Sequence, residues 1–298
     1  MKRNPFLVIL ATAGVLGAIF FVLLFLASAL SGRKTEATLH SVGAEKVALV
    51  KIEGLLISSE HIVDELNDYA EDSSIKAIVI RVDSPGGGVV ASQEIYNAVK
   101  NARKEGKKVV VSMGSVAASG GYYIAAAADR IVANPGTLTG SIGVKMEFAN
   151  VEKLLEKIGV KGMVVKAGEF KDIGSPFREM TSQEKALLQI VIDDVHTQFI
   201  EAISEGRKIP ASDVRAIADG RIFTGRQALA MRLVDDLGDL PESIRIAGEM
   251  AGIKGKPRVI KKEKKIPFLE YLKEETTSWI SDIMTNGINR SVVTLQYR

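Results

Sequence analysis

The sequence predicts an α/β fold built on a mostly parallel sheet. Three observations carry that reading. Short β-branched runs alternate with helical segments from Val47 onward, which implies right-handed βαβ units. Two of those runs end in glycine-rich turns that lead directly into helices. The second half then becomes helical, with no internal repeat and no low-complexity tract, as expected of one domain.

Taken in order, Val47–Ile52 is a β-branched run and reads as a strand. Ser58 and Ser59 offer caps for a helix over His61–Tyr69. Lys76–Val82 reads as a buried strand closed by Ser84-Pro85-Gly86-Gly87-Gly88, and a helix follows over Val90–Lys104. Val109–Met113 is a strand, Ser119–Ala128 an Ala-rich helix and Ile131–Ala133 a short extended piece. Val151–Ile158 is expected to be helical and Gly162–Lys166 to be a strand. Thr181-Ser182-Gln183-Glu184 is a capping box that opens a long helix to about Gly206. Shorter helices are expected at Ala211–Ala218, Gly225–Met231 and Pro241–Met250. A basic run, Lys254–Lys265, leads into an amphipathic segment, Pro267–Met284.

The chain has 298 residues, 39 Lys+Arg against 36 Asp+Glu, a net charge of +3, and 46% hydrophobic residues. That balance excludes a disordered chain and argues against an electrostatic nucleic-acid binder. With no cysteine, there is no disulfide framework, Cys-based zinc site or thiol nucleophile. Phe6–Leu30 is an apolar run of 25 residues, and at about 1.5 Å per residue it exceeds a bilayer core of about 30 Å. It predicts an N-terminal transmembrane helix. A cleaved signal peptide competes, because Ala27-Ser28-Ala29 has suitable small-residue spacing, but the run is longer than such segments need. Lys2 and Arg3 before it tie with Arg33 and Lys34 after it, so flanking charge does not orient it. The expected organisation is an anchor over 1–32, a linker over 33–46, a catalytic domain over 47–252 and a C-terminal arm over 253–298. The arm's basic run and amphipathic face could lie on anionic lipid or pack as a terminal helix.

The only histidines, His40, His61 and His196, are scattered without metal-ligand spacing, so no metal site is expected. Neither GxGxxG nor GxxxxGK[ST] is present. What remains is a pair of glycine-rich turns. Two such turns at one edge of a parallel sheet would face a common crevice. Ser119 followed by Gly120 resembles an activated serine beside an oxyanion-binding amide, and the Pro-Gly-Gly-Gly turn could supply a second amide. Otherwise Ser119 is only a helix cap. A serine needs a base. His196, with Asp193 and Asp194 beside it, lies mid-helix and reads as a solvated face. The base is then a lysine, which must be desolvated to act near neutral pH. Lys171 fits best, amid small and apolar residues after the Gly162–Lys166 run. Lys166 lies inside that run, and Lys185, in a fortuitous SxxK with Ser182, lies on a helix surface.

Four segments in this order resemble signal peptide peptidase A, a Ser-Lys protease family with a ClpP/crotonase-like fold: Asp83–Gly88, Ser115–Tyr123, Leu138–Val144 and Phe170–Pro176. Ala218–Arg221 and Leu233–Gly238 extend the likeness, which runs from about Val47 to Gly252. The resemblance implies Ser119 as nucleophile, Lys171 as general base and the amides of Gly86 and Gly120 as the oxyanion hole. Ser141 falls where a second serine would hydrogen-bond the lysine. It further implies no cofactor and an apolar peptide substrate such as a remnant signal peptide. The implied assembly is a ring-like homo-oligomer whose serine and lysine come from neighbouring subunits, with the catalytic domain outside the cytoplasm. Alternatives are a related protease that cleaves stomatin-like membrane proteins, an acyl-CoA enzyme of the crotonase type, and a non-catalytic scaffold.

Overall fold

A computed structural model describes residues 45–262. The expected anchor, nearly all of the linker and the amphipathic Pro267–Met284 segment lie outside those residues. Among the described residues, no helix is long and apolar enough to cross a membrane.

The domain is a sheet with helices on both faces. Strand β1 (Lys46–Glu53) is followed by α1 (Glu60–Glu71), β2 (Ile75–Ser84), α2 (Val89–Lys104) and β3 (Lys108–Ala118). Then come α3 (Gly120–Ala126), β4 (Arg130–Ala133) and β5 (Leu138–Gly140). Beyond a short helix, α4 (Glu152–Lys157), lies the 26-residue α5 (Ser182–Arg207). The remainder is α6 (Ala211–Ile217), β6 (Ile222–Thr224), α7 (Gly225–Ala230), β7 (Asp236–Leu237), α8 (Leu240–Met250) and β8 (Arg258–Ile260). The strand order is β6-β5-β3-β2-β1-β8, with β4 on β3 and β7 on β4. Every pairing is parallel except β5 with β6.

Period-2 alternation divides the sheet between two cores. Ala48, Val50, Ile52, Ile78, Ile80 and Val82 face the layer of α1, α2, α3 and the C-terminal half of α5. Val47, Leu49, Ala77 and Val79 face α8 through Ile246 and Ala247. Both faces of the central strands are covered, which is why they read as continuous apolar runs.

One irregularity positions the chemistry. Val82 pairs with Met113, but Ser84 pairs with Ala117, so β3 carries two extra residues there. The Asp83 carboxylate accepts the Val116 amide at 3.0 Å, and Thr137 Oγ1 donates to the Gly114 carbonyl at 2.7 Å. The kink splits the pairing of β3. Its first part pairs β4, and its last residues, Val116–Ala118, pair β5. Ser119 therefore leaves the sheet at a point fixed by two neighbouring strands.

Two expectations are corrected. Gly162–Lys166 is not a strand; it runs through an exposed arm, with Met163 92% exposed. Its β-branched residues find no neighbouring strand there, so apolar character alone does not make them sheet. Ser59 sits at the α1 N-cap without a capping bond, because its hydroxyl donates to the Glu94 carboxylate instead. Within the basic run, read as a strand, Arg258–Ile260 forms β8, which pairs with the outer edge of β1. The capping box at Thr181 is present as expected, with the Glu184 amide donating to Thr181 Oγ1 at 3.2 Å and the Thr181 amide to Glu184 Oε2 at 2.8 Å.

Candidate active site

The two glycine-rich turns meet at the C-terminal edge of the sheet. At the first, β2 ends at Ser84 and the chain turns through Pro85, Gly86 and Gly87. The Leu56 amide donates to the Gly86 carbonyl at 2.9 Å, and the Gly88 amide to the Leu56 carbonyl at 2.7 Å. This bridge pins the turn against the segment after β1. Gly86 has φ +101°, and a Cβ there would lie 2.7 Å from the Gly120 nitrogen and 2.9 Å from Ser119 Cβ. The turns touch so closely that only glycine fits.

At the second turn Ser119 has φ 51° and ψ −119°, an unfavourable conformation for a residue with a Cβ. Its amide donates to the Gly140 carbonyl at 2.8 Å, and its carbonyl accepts from Tyr123 at 2.8 Å. Both backbone groups are thus held, while Ser119 Oγ has no hydrogen-bond partner among the described residues. Gly120 follows at the start of α3, packed so that a Cβ would fall 2.3 Å from Ser92 Oγ. Surrounding contacts thus hold a strained backbone beside a half-buried, unpartnered hydroxyl, an arrangement compatible with nucleophilic chemistry.

The Gly86 amide has a partner within the turn. It is buried and donates to Ser84 Oγ at 3.1 Å. The amide of Gly87, an exposed residue at the same groove, has no partner among the described residues. The resemblance implied the amides of Gly86 and Gly120; in the first turn the amide without a partner is that of Gly87. Gly86 instead supplies the close approach between the turns.

Ser119 opens on a groove of about 490 Å³. Leu55, Val89, Tyr123, Val195 and Phe199 form its apolar wall. Tyr123 is backed by Tyr96 and Phe199, with ring centroids 5.1 and 4.9 Å away, and burial holds its hydroxyl above the ordinary tyrosine value. Ser141 lines the same groove, with φ 51° and its amide donating to the Arg221 carbonyl at 2.8 Å. The two serines thus leave adjacent strands, β3 and β5, with the same φ of 51°.

Lys171 is not part of this groove. It is exposed, in an arm where no residue from Gly143 to Gln183 is buried. The arm folds on itself locally: the Val151 amide donates to the Pro176 carbonyl at 2.8 Å, and Phe148 packs on Gly174 and Phe177 on Gly162. Lys145 is the lysine that lines the groove, but it is exposed and pairs with Glu147 at 2.7 Å. Among the described residues, no histidine pairs with an acid or with Ser119. Asp193 and Asp194 accept from Gln189 and Gln198, and His196 is half-buried with Nε2 unpartnered, not the solvated group expected. Among the described residues, no group of three or more His, Asp or Glu side chains could hold a metal.

Sequence reasoning passed over an ionic cluster in the arm. Arg178 donates to both oxygens of Asp172 at 2.8 and 2.9 Å, and to both oxygens of Glu184, at 2.8 Å for Oε2. Lys166 donates to Asp172 Oδ1 at 2.5 Å. Arg178 and Lys166 hold the Asp172 carboxyl far below its ordinary range, and Arg178 with the Thr181 amide brings Glu184 to about 2. The only sequence signal is an acid, a base and an acid at six-residue spacing.

The model for peptidase family S49 matches residues 101–254, and that for Clp protease matches residues 55–137. The chain is 44% identical to a protein named "Putative protease" from Synechocystis sp. over 210 residues, 70% of this chain and 76% of that one. It is 33% identical to "Putative signal peptide peptidase SppA" of Enterococcus faecium, over 87% of this chain and 76% of that one. It spans 35% of the length of Protease 4 from Haemophilus influenzae, at 36% identity. A solved structure of a mutant 1510-N membrane-bound stomatin-specific protease superposes with a TM-score of 0.51 at 16% identity, over 74% of this chain and 99% of that one, a likeness of fold.

Proposed function

The chain belongs to peptidase family S49, as a serine peptidase of the signal peptide peptidase A kind, and on that premise we propose that Ser119 and Lys171 form its catalytic dyad across a subunit boundary. One observation carries this reading: the nucleophile and open amides are assembled within one chain, while Lys171 stands outside their groove on an arm that buries nothing. The exposed apolar side chains of that arm, such as Met163, Val164 and Val165, suit contact with a second copy. Such contact would also remove Lys171 from water, as a lysine base requires.

The neutral Lys171 amine takes the proton from Ser119 Oγ as Oγ bonds to the scissile carbonyl carbon. The amides of Gly87 and Gly120 hold the resulting oxyanion. Collapse breaks the C–N bond, and the lysine proton passes to the departing amine. Water, deprotonated by the same lysine, then releases the acyl group and regenerates Ser119. Ser141, on the groove side of the lysine's approach, hydrogen-bonds its ammonium.

The apolar wall of Leu55, Val89, Val195 and Phe199 suits apolar peptides, and remnant signal peptides are such substrates. The 25-residue apolar run near the N-terminus would anchor the enzyme beside them, with the catalytic domain outside the cytoplasm. The test is to mix Ser119→Ala and Lys171→Ala proteins, each inactive alone. Recovery of hydrolysis in mixed assemblies is expected; no recovery, with subunit exchange verified by mass, would place the whole site in one chain.

A further inference from the structure

The arm presents a difficulty. A base must be held to within about half an ångström of its productive position, and such placement needs a rigid support. Between Gly143 and Gln183 there is no buried apolar side chain to provide it. The support is ionic. The Asp172 side chain, next in sequence to Lys171, is only 13% exposed, and that of Glu184, in the first turn of α5, only 4%. Arg178 lies between them and fills both oxygens of each. Its guanidinium also donates to the Asp172 carbonyl at 3.3 Å and the Glu179 carbonyl at 3.1 Å. Lys166 closes the turn from the other side, with bonds to Asp172 Oδ1 and to the Glu169 carbonyl at 2.6 Å.

The other end of this chain of contacts is firm. Glu184 is locked in the capping box, and α5 is buried in the domain at Phe199, Ile200, Ala202 and Ile203. From Glu184 to Phe199 the helix advances about 22 Å at 1.5 Å per residue. Helix α5 is therefore a rigid strut. Its inner end forms part of the substrate groove through Phe199, and its outer end carries the clamp.

We infer that Arg178 is a positioning residue for Lys171: by bridging Asp172 to Glu184, it fixes the lysine-bearing turn to the outer end of α5 and presents Lys171 to a neighbouring subunit's Ser119. Arginine suits this task because its planar fork can pair with two carboxylates at once, which lysine cannot do. The inference rests on the reading of Lys171 as the base.

The test uses full-length protein with an apolar fluorogenic peptide. Arg178→Ala is expected to lower kcat at least tenfold, leave KM within twofold and leave the assembly mass unchanged. Free guanidinium should restore part of the loss. Asp172→Asn keeps the Arg178–Glu184 pair and the cap of α5, and it should reproduce the kcat loss. The double variant should fall no further than the worse single one, because both break one device. Unchanged kcat in Arg178→Ala, loss of assembly in both single variants, or additive losses in the double variant would overturn the proposal. Lys171→Ala is assayed in parallel. Full activity there would overturn the dyad itself, an outcome distinct from an inactive Lys171→Ala beside an unaffected Arg178→Ala.

Discussion

In the body of the domain, β1, β2 and β3 bury nearly every apolar side chain, and Ser119 is held by backbone bonds from two strands. Across the next forty residues or so, from Gly143 to Gln183, nothing is buried, and the firmest contacts are charged. Each region carries one residue of the proposed dyad, Ser119 in the body and Lys171 in the arm. The difference lies in what each needs to be placed. A nucleophile in a strained turn can be fixed by the chain's own packing. A residue that must reach another subunit is better carried on a projecting element, stiffened by polar contacts that tolerate water until the partner arrives.

Four outcomes bear on that contrast. The largest concerns the body: Ser119→Ala should lower hydrolysis on the order of 10⁴-fold or more, with assembly retained, measured as steady-state kcat/KM. Next, Gly86→Ala must place a Cβ 2.7 Å from the Gly120 nitrogen at a φ of +101°. It should displace the oxyanion amides and cost about 10²–10³-fold in kcat. Activity near wild type would show that the close approach of the turns is not needed.

The third outcome is a matched pair read by thermal unfolding. Ile80→Ala removes a fully buried side chain and should destabilise the domain by about 2–5 kcal/mol. Val165→Asp, in the exposed arm, should change the unfolding of the isolated subunit by about 0.5 kcal/mol or less, yet disrupt assembly and activity. A large loss of subunit stability from Val165→Asp would mean that the arm is packed on its own body.

The smallest effect is on pH. Glu184 carries a carboxyl lowered from 4.5 to about 2, first by Arg178 and then by the Thr181 amide. A depressed carboxylate stabilises the folded arrangement above its ordinary value, and that contribution is lost as pH falls from about 4.5 to about 2. Amide exchange in residues 166–181 should accelerate across that window before the body unfolds, and Glu184→Gln should weaken the dependence, leaving the share carried by Asp172.

Much of the body was legible in the sequence, because strands covered on both faces announce themselves as β-branched runs. Strands β5 and β6 were not, since three residues cannot display a period and Leu138–Gly140 ends in glycine. Gly162–Lys166 misled for the opposite reason: its β-branched residues suggest a strand, yet they lie exposed with no strand beside them. At the site, the positions of Ser119 and Gly120 could be read from the turn sequence. Which amide of Pro-Gly-Gly-Gly stays open could not, because that depends on φ at Gly86 and on where Ser84 Oγ points. The Asp172–Arg178–Glu184 cluster was invisible because three charges in a polar stretch look like solvated surface until the chain folds them together.

The separation of Lys171 from the groove has a consequence for how the enzyme behaves after synthesis. If the groove is completed only by a second subunit, a newly made chain is latent without any inhibitory propeptide. Catalysis per molecule then depends on encounter, rising faster than linearly with enzyme concentration when dilute and levelling off once assemblies saturate. Confinement to a membrane plane would raise that encounter rate. Damage to an unassembled neighbour's chain would thus be avoided by stoichiometry rather than by a lid.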